Sequence, residues 1–211
     1  MNIDRYYSKI RLQKGRYAIV VAFLLVVLTI VVFWSTASKD QPVDEEKEAQ
    51  TVSLDIKGPV LPESNPVSIS IPAINLETTF VSPLGLEESG EVEVPDSYEK
   101  VGWYKYGPTP GEAGPAVVLG HVDSVDGPAI FWSLGQLSQG DDIYIVREDG
   151  KAAIFEVVSL ERTEQSDFPT QDVYGDIDHA GLRLITCSGT YEKDKLRYTH
   201  SLIVYAKLKD N

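Results

Sequence analysis

The chain has 211 residues, 43% hydrophobic and 24% charged, with a formal net charge of −13. That length suits one domain of ordinary size plus an accessory segment, and so acidic a balance excludes a partner held by non-specific phosphate attraction, so no nucleic acid is expected. A single cysteine excludes a disulfide framework within the chain.

Charge is unevenly spread. Residues 1–40 hold 6 Lys/Arg against 2 Asp/Glu, a balance of +4, and residues 41–211 hold 13 against 30, a balance of −17. Arg5, Lys9, Arg11, Lys14 and Arg16 precede an apolar run over residues 17–34 in which Thr29 is the only strongly polar member. At 1.5 Å per residue this run spans about 27 Å, the thickness of a hydrocarbon layer, and Tyr17 and Trp34 suit its two interfaces. The sequence thus predicts a basic cytoplasmic tail over 1–16 and a transmembrane anchor over 17–34. By the positive-inside rule the protein is a single-pass cell-membrane protein with the remainder of the chain outside. A cleavable signal peptide processed near Ser35-Thr36-Ala37 competes with this reading, but its apolar region would be longer than usual.

Residues 35–64 are polar, acidic and interrupted by Pro42, Pro59 and Pro62. They read as an extracellular stalk without packed structure of its own, leaving 65–211 as the folded domain. Val67-Ser68-Ile69-Ser70-Ile71 alternates with period 2 and opens a series of short strands. Others are expected at 78–81, 91–94, 116–120, 142–147, 151–160, 182–186 and 201–208, with Asp149-Gly150 turning a hairpin. Helical signals are weak, at 129–137 and 171–179. The pattern predicts an all-β domain, a barrel or sandwich around one core.

Three residues stand at strand ends with chemistry to offer. Cys187 ends the apolar run Leu182-Arg183-Leu184-Ile185-Thr186 and is followed at once by Ser188-Gly189. A buried, inert thiol is the plain alternative, yet a lone cysteine outside the membrane is a liability that points to use as a nucleophile. His121 follows Val117-Val118-Leu119-Gly120, and Gly120 lets a peptide ligand approach closely. His200 lies out of phase with Arg197 on the last strand, and His179 sits in a polar loop, so His121 is the expected acid and base. Arg197 begins the last strand. A hairpin would set it opposite Cys187, where a guanidinium could stabilise an oxyanion and favour the thiolate.

Together these residues resemble a sortase. Leu184-Ile185-Thr186-Cys187 is similar to the T-L-x-T-C signature of that family, with Arg197 at its downstream arginine and Gly120-His121 at its histidine. Gly102-Trp103-Tyr104, Gly107-Pro108-Thr109-Pro110-Gly111, His121-Val122-Asp123 and Gly127-Pro128-Ala129-Ile130-Phe131 look most like class F, with class E close behind. The resemblance implies a closed eight-stranded β-barrel with short helices, preceded by the membrane helix. It implies a transpeptidase in which Cys187 attacks between Thr and Gly of an LPxTG-like sorting signal to give a thioester. His121 would pass protons, Arg197 would steady the oxyanion, and Thr186 would help shape the pocket. The acceptor would be an amine of a cell-wall precursor. Glu164, Asp167, Asp172, Asp176 and Asp178 lack the ligand spacing of a calcium loop, so no metal or other cofactor is expected. An L,D-transpeptidase would set His and Arg close around the Cys in sequence, whereas His121 lies 66 positions upstream. A membrane-tethered scaffold or adhesin with an incidental thiol is the non-enzymatic alternative.

Overall fold

In β7 (Asp142–Arg147) the alternation of the sequence becomes an alternation of faces: Ile143, Ile145 and Arg147 are buried, and Val146 faces out. β7 turns into β8 (Ala152–Glu164) through Asp149-Gly150, where Gly150 has φ +77 and Asp149 Oδ1 accepts from the Lys151 amide at 3.0 Å. Only glycine adopts that conformation without strain, which fixes the hairpin register. The computed structural model describes residues 54–210. Within them β1 (Pro66–Ile71) and β2 (Leu76–Thr79) form a hairpin, followed by β3 (Gly102–Trp103), β4 (Gly114–Leu119) and a small ribbon of β5 (Asp123–Ser124) with β6 (Gly127–Pro128). After β8 come α1 (Thr170–Tyr174), β9 (Ala180–Glu192) and β10 (Arg197–Leu208).

Eight strands make one curled sheet in the order β2-β1-β7-β8-β10-β9-β4-β3. Every ladder is antiparallel except β4 with β9. The concave side holds the core, with Ile69, Ile71, Val118, Phe131, Ile145, Phe155, Leu182, Leu184 and Val204 in one buried cluster. Burying each such side chain is worth about 1.5–3 kcal/mol, so this cluster is what closes the sheet on itself.

The expected closed barrel is corrected to a half-barrel. Edge strands β2 and β3 are too short to form a ladder with each other, and only isolated bridges, Phe80 with Val101 and Leu84 with Tyr104, span the gap. Residues 91–94 make a single bridge, Val92 to Leu86, rather than a strand, because Gly90 turns at φ +86 and Pro95 follows. The two weak helical signals contract to a 3-10 turn at Leu134–Gln136 and to α1. The last residues of the expected stalk lie against the domain: the Leu61 amide donates to the Gly111 carbonyl and the Ser64 amide to Thr109 Oγ1. The predicted anchor over 17–34 lies outside the described residues. Among the described ones, no helix is long and apolar enough to cross a membrane.

Candidate active site

Alternation along β9 divides its residues between two environments. Leu182 and Leu184 enter the concave core, while Ile185 joins Val117, Val173 and Ile203 in a second cluster on the convex side. Cys187 is two residues beyond Ile185 and continues that convex row. α1 rests here through Val173, with Phe168 and Tyr174 packed beside it. The thiol is therefore placed at the floor of a groove outside the barrel core.

His121 arrives by the parallel neighbour. Leu119 of β4 pairs with Ile185, and the Gly120 amide continues the ladder to the Ile185 carbonyl at 3.2 Å. Parallel strands advance together, so two more residues bring His121 abreast of Cys187. Both line a cavity of about 460 Å³ whose other walls include Val92, Val94, Leu119, Phe168 and Ile185. His121 Nε2 is 2.7 Å from the Pro95 carbonyl oxygen. That oxygen can only accept, so Nε2 carries the proton in this contact and Nδ1 is left as the acceptor. Tyr98 packs on the ring with centroids 4.5 Å apart. Among the described residues no hydrogen bond joins the ring to the thiol.

Gly120 lines the same groove, and the space where a Cβ would stand is already filled by Phe131, 2.6 Å away. Thr186 also lines it; this residue is buried, and its Oγ1 has no hydrogen-bond partner among the described residues.

Arg197 is not opposite Cys187. β9 runs past the cysteine to Glu192, so the hairpin turns later, Arg197 pairs with Glu192, and the residue facing Cys187 is Ser201. Arg197 remains near the thiol by another route: it lines a second cavity together with Cys187 and His121. His200 pairs with Ser188, and its Nδ1 lies 2.7 Å from Thr199 Oγ1. His179, paired with Asp178, precedes β9 and lies eight residues before Cys187, roughly 26 Å away along an extended strand. Of the three histidines, only His121 lines the groove that holds the thiol.

Although Cys187 is exposed, it sits down among the groove walls, and this burial raises the thiol pKa; the charge of Asp123 raises it further. This runs against the expectation that Arg197 would favour the thiolate. A raised pKa favours the thiol over the thiolate at neutral pH, so a nucleophilic role for Cys187 would need a base to remove that proton. Asp123 is itself held by a hydrogen bond from the Tyr198 hydroxyl, which pushes the Tyr198 pKa up to about 12. Neither residue was singled out from the sequence for a role, though Asp123 is two positions after His121 and Tyr198 directly follows Arg197. Among the described residues no group of three His, Cys, Asp or Glu is arranged to hold a metal ion.

The family model of the sortase domain matches residues 69–209. Among solved structures, a lid mutant of sortase A from Corynebacterium diphtheriae is 22% identical with a TM-score of 0.54, covering 72% of this chain and 73% of that one. A sortase D5 transpeptidase from Clostridium perfringens is 21% identical at TM-score 0.51, covering 69% and 79%. Sortase C-1 from Actinomyces oris is 19% identical at 0.53, covering 69% and 72%. No curated protein matches the chain.

Proposed function

Since this chain belongs to the sortase family, we propose that it is a membrane-anchored cysteine transpeptidase that cleaves an LPxTG-like sorting signal between Thr and Gly. The observation that carries this reading is the meeting of Cys187, on β9, and His121, two residues past the end of its parallel neighbour β4, in one groove with largely apolar walls. An apolar groove of this size suits the Leu-Pro end of such a signal, with its scissile carbonyl over the thiol.

The steps follow from the groups present. His121 takes the thiol proton as Cys187 sulfur attacks the threonine carbonyl carbon. Arg197 donates to the oxyanion that forms. When the C–N bond breaks, His121 returns the proton to the departing glycine amine, and the acyl group remains on sulfur as a thioester. Thr186, beside the cysteine in the groove lining, helps shape the pocket that holds the substrate. An amine of a cell-wall precursor then attacks the thioester, and a new peptide bond replaces the old one. The class F-like motif pattern, the cytoplasmic tail over 1–16, the anchor over 17–34 and a stalk that ends where Leu61 and Ser64 join the domain complete the proposal. Such an enzyme works at the outer membrane surface, where secreted proteins meet the wall.

The test is intact mass after incubation with an LPxTG peptide lacking any acceptor. An acyl adduct on Cys187, discharged as ligated peptide when an amine is added, is the expected result. No adduct across a library of such peptides would replace this reading with the scaffold or adhesin.

A further inference from the structure

The groove does not end at Cys187. A second cavity of about 580 Å³ opens beside the thiol and shares Cys187, His121 and Gln165 with the first. The two differ in chemistry. Both have apolar walls, Val92, Leu119, Ile185 and Phe168 in the first and Val122, Val125 and Leu196 in the second, but the second adds the charged Asp123 and Arg197 and the rings of Tyr191 and Tyr198.

We propose that this second cavity receives the amine acceptor in its cationic form, and that Asp123 is the residue that selects it. The inference rests on the transpeptidase reading and adds to it a site and a determinant for the second substrate. The acyl chain and the incoming amine occupy different bonds of the reacting carbon, so they need separate space around it. With the acyl chain in the first cavity and its carbonyl at Cys187, the second cavity, which also reaches Cys187, offers that space to the amine.

The chemistry of that cavity fits an ammonium group. Asp123 is half-buried, and its Oδ2 accepts from the Tyr198 hydroxyl, so the carboxylate is held in place. Among the described residues no hydrogen bond reaches Oδ1, which leaves an oriented acceptor for an incoming N–H. Tyr191 and Tyr198 pack with centroids 5.2 Å apart and add π faces that attract cations. The reach of the Asp123 charge to the sulfur is visible in the raised thiol pKa. Arg197 is the opposing charge in this cavity; its proposed role at the oxyanion leaves the half-buried Asp123 as the carboxylate that meets the ammonium. On transfer the bound ammonium releases one proton to solvent and a second to His121. The N–C bond forms, the C–S bond breaks, and Cys187 leaves as thiolate.

Asp123 could instead matter only as a tether fixing the β5–β6 ribbon to β10, and the experiment separates the two roles. Wild type, Asp123→Asn and Tyr198→Phe are acylated with an LPxTG peptide and then offered triglycine amide, a cationic amine, or hydroxylamine, which is uncharged at neutral pH. Asp123→Asn should raise KM for triglycine amide about tenfold, the size of one charge-assisted hydrogen bond. Its acylation should be no slower and its KM for hydroxylamine unchanged. Tyr198→Phe keeps the charge and should keep most of the preference for the cation. An unchanged KM for triglycine amide in Asp123→Asn overturns the proposal. So does an equal rise for hydroxylamine, or a Tyr198→Phe profile matching Asp123→Asn. Failure of wild type to acylate at all is a different outcome, since it defeats the transpeptidase reading and this inference with it.

Discussion

Substituting alanine for Gly120 tests how His121, the proposed acid and base, is positioned. An added Cβ would stand 2.6 Å from Phe131 Cδ2 and 2.8 Å from Cε2, where carbon atoms need about 3.5–4.0 Å. Phe131 is fully buried, so its ring has no free space to enter. Its amide also donates to the His121 carbonyl at 2.9 Å, coupling the ring to the residue after the glycine. Relief therefore has to come from moving the end of β4 by about 1 Å, at an overpacking cost of ~1–3 kcal/mol. For a domain of this size that lowers Tm by about 3–10 °C. A displacement of about 1 Å at His121 should cut kcat/KM on the order of 10²-fold. Thermal melts and steady-state peptide cleavage measure the two effects. Phe131→Leu in the Gly120→Ala background should restore part of both, because it removes the ring edge that the Cβ meets. A double variant whose losses are the sum of the single losses would refute the proposed clash. So would Gly120→Ala with wild-type melting and turnover.

His121→Ala should lose about 10²–10⁴-fold in turnover, while His179→Ala and His200→Ala, which do not line the groove, should stay within about twofold; an indispensable His200 would mean that the face assignment on β10 is wrong. Arg197→Ala should raise the barrier by about 2.7–4 kcal/mol if the guanidinium is a main oxyanion donor, with Arg197→Lys losing less, and wild-type transfer by the alanine variant would remove that role. The rate of Cys187 alkylation against pH should inflect above the range of an ordinary cysteine, and Asp123→Asn should move the inflection down, because it removes one of the two causes of the raised pKa. An inflection below that range would show that Arg197, not burial and Asp123, governs the thiol.

What could be read from the sequence depended on burial contrast. β7 was legible residue for residue because Ile143 and Ile145 alternate with outward-facing neighbours and a glycine turn follows. Cys187 and His121 were legible because each stands where an apolar run gives out. The stretch of β9 beyond Cys187 was not, since Gly189, Thr190 and Tyr191 are exposed and the ribbon is held by backbone pairing that leaves no apolar pattern. Reading the strand as ending at Cys187 misplaced the hairpin turn and with it Arg197. The reverse error occurred at Glu91-Val92-Glu93-Val94, which alternates perfectly yet has no partner strand to pair with beyond one bridge. Open closure at β2 and β3 was hidden for a related reason: strand number shows in a sequence, but ladder length at an edge does not. Asp123 and Tyr198 were invisible as a pair because 75 positions separate them and only the curl of the sheet brings them together.

The electrostatics of the site then impose a condition on how the thiol can work. A nucleophile kept protonated by burial and by Asp123 is slow toward oxidants and adventitious electrophiles, which attack the thiolate. For a chain with one cysteine and no partner to form a disulfide within it, that protection has value at any exposed site. The cost is that attack on a substrate requires deprotonation at the moment of reaction, so a base must stand within reach of the sulfur. In the proposed mechanism His121 fills that role, and the parallel pairing of β4 and β9 carries it to the groove that holds Cys187 by backbone hydrogen bonds rather than by a side-chain contact. Its Nε2 is engaged by the Pro95 carbonyl, which leaves Nδ1 as the nitrogen able to take a proton. Substrate filling the groove excludes water, which strengthens every charge interaction there and raises the reward for moving the proton onto the imidazole as the sulfur attacks. In the proposed mechanism, reactivity thus belongs to the occupied groove and not to the free thiol.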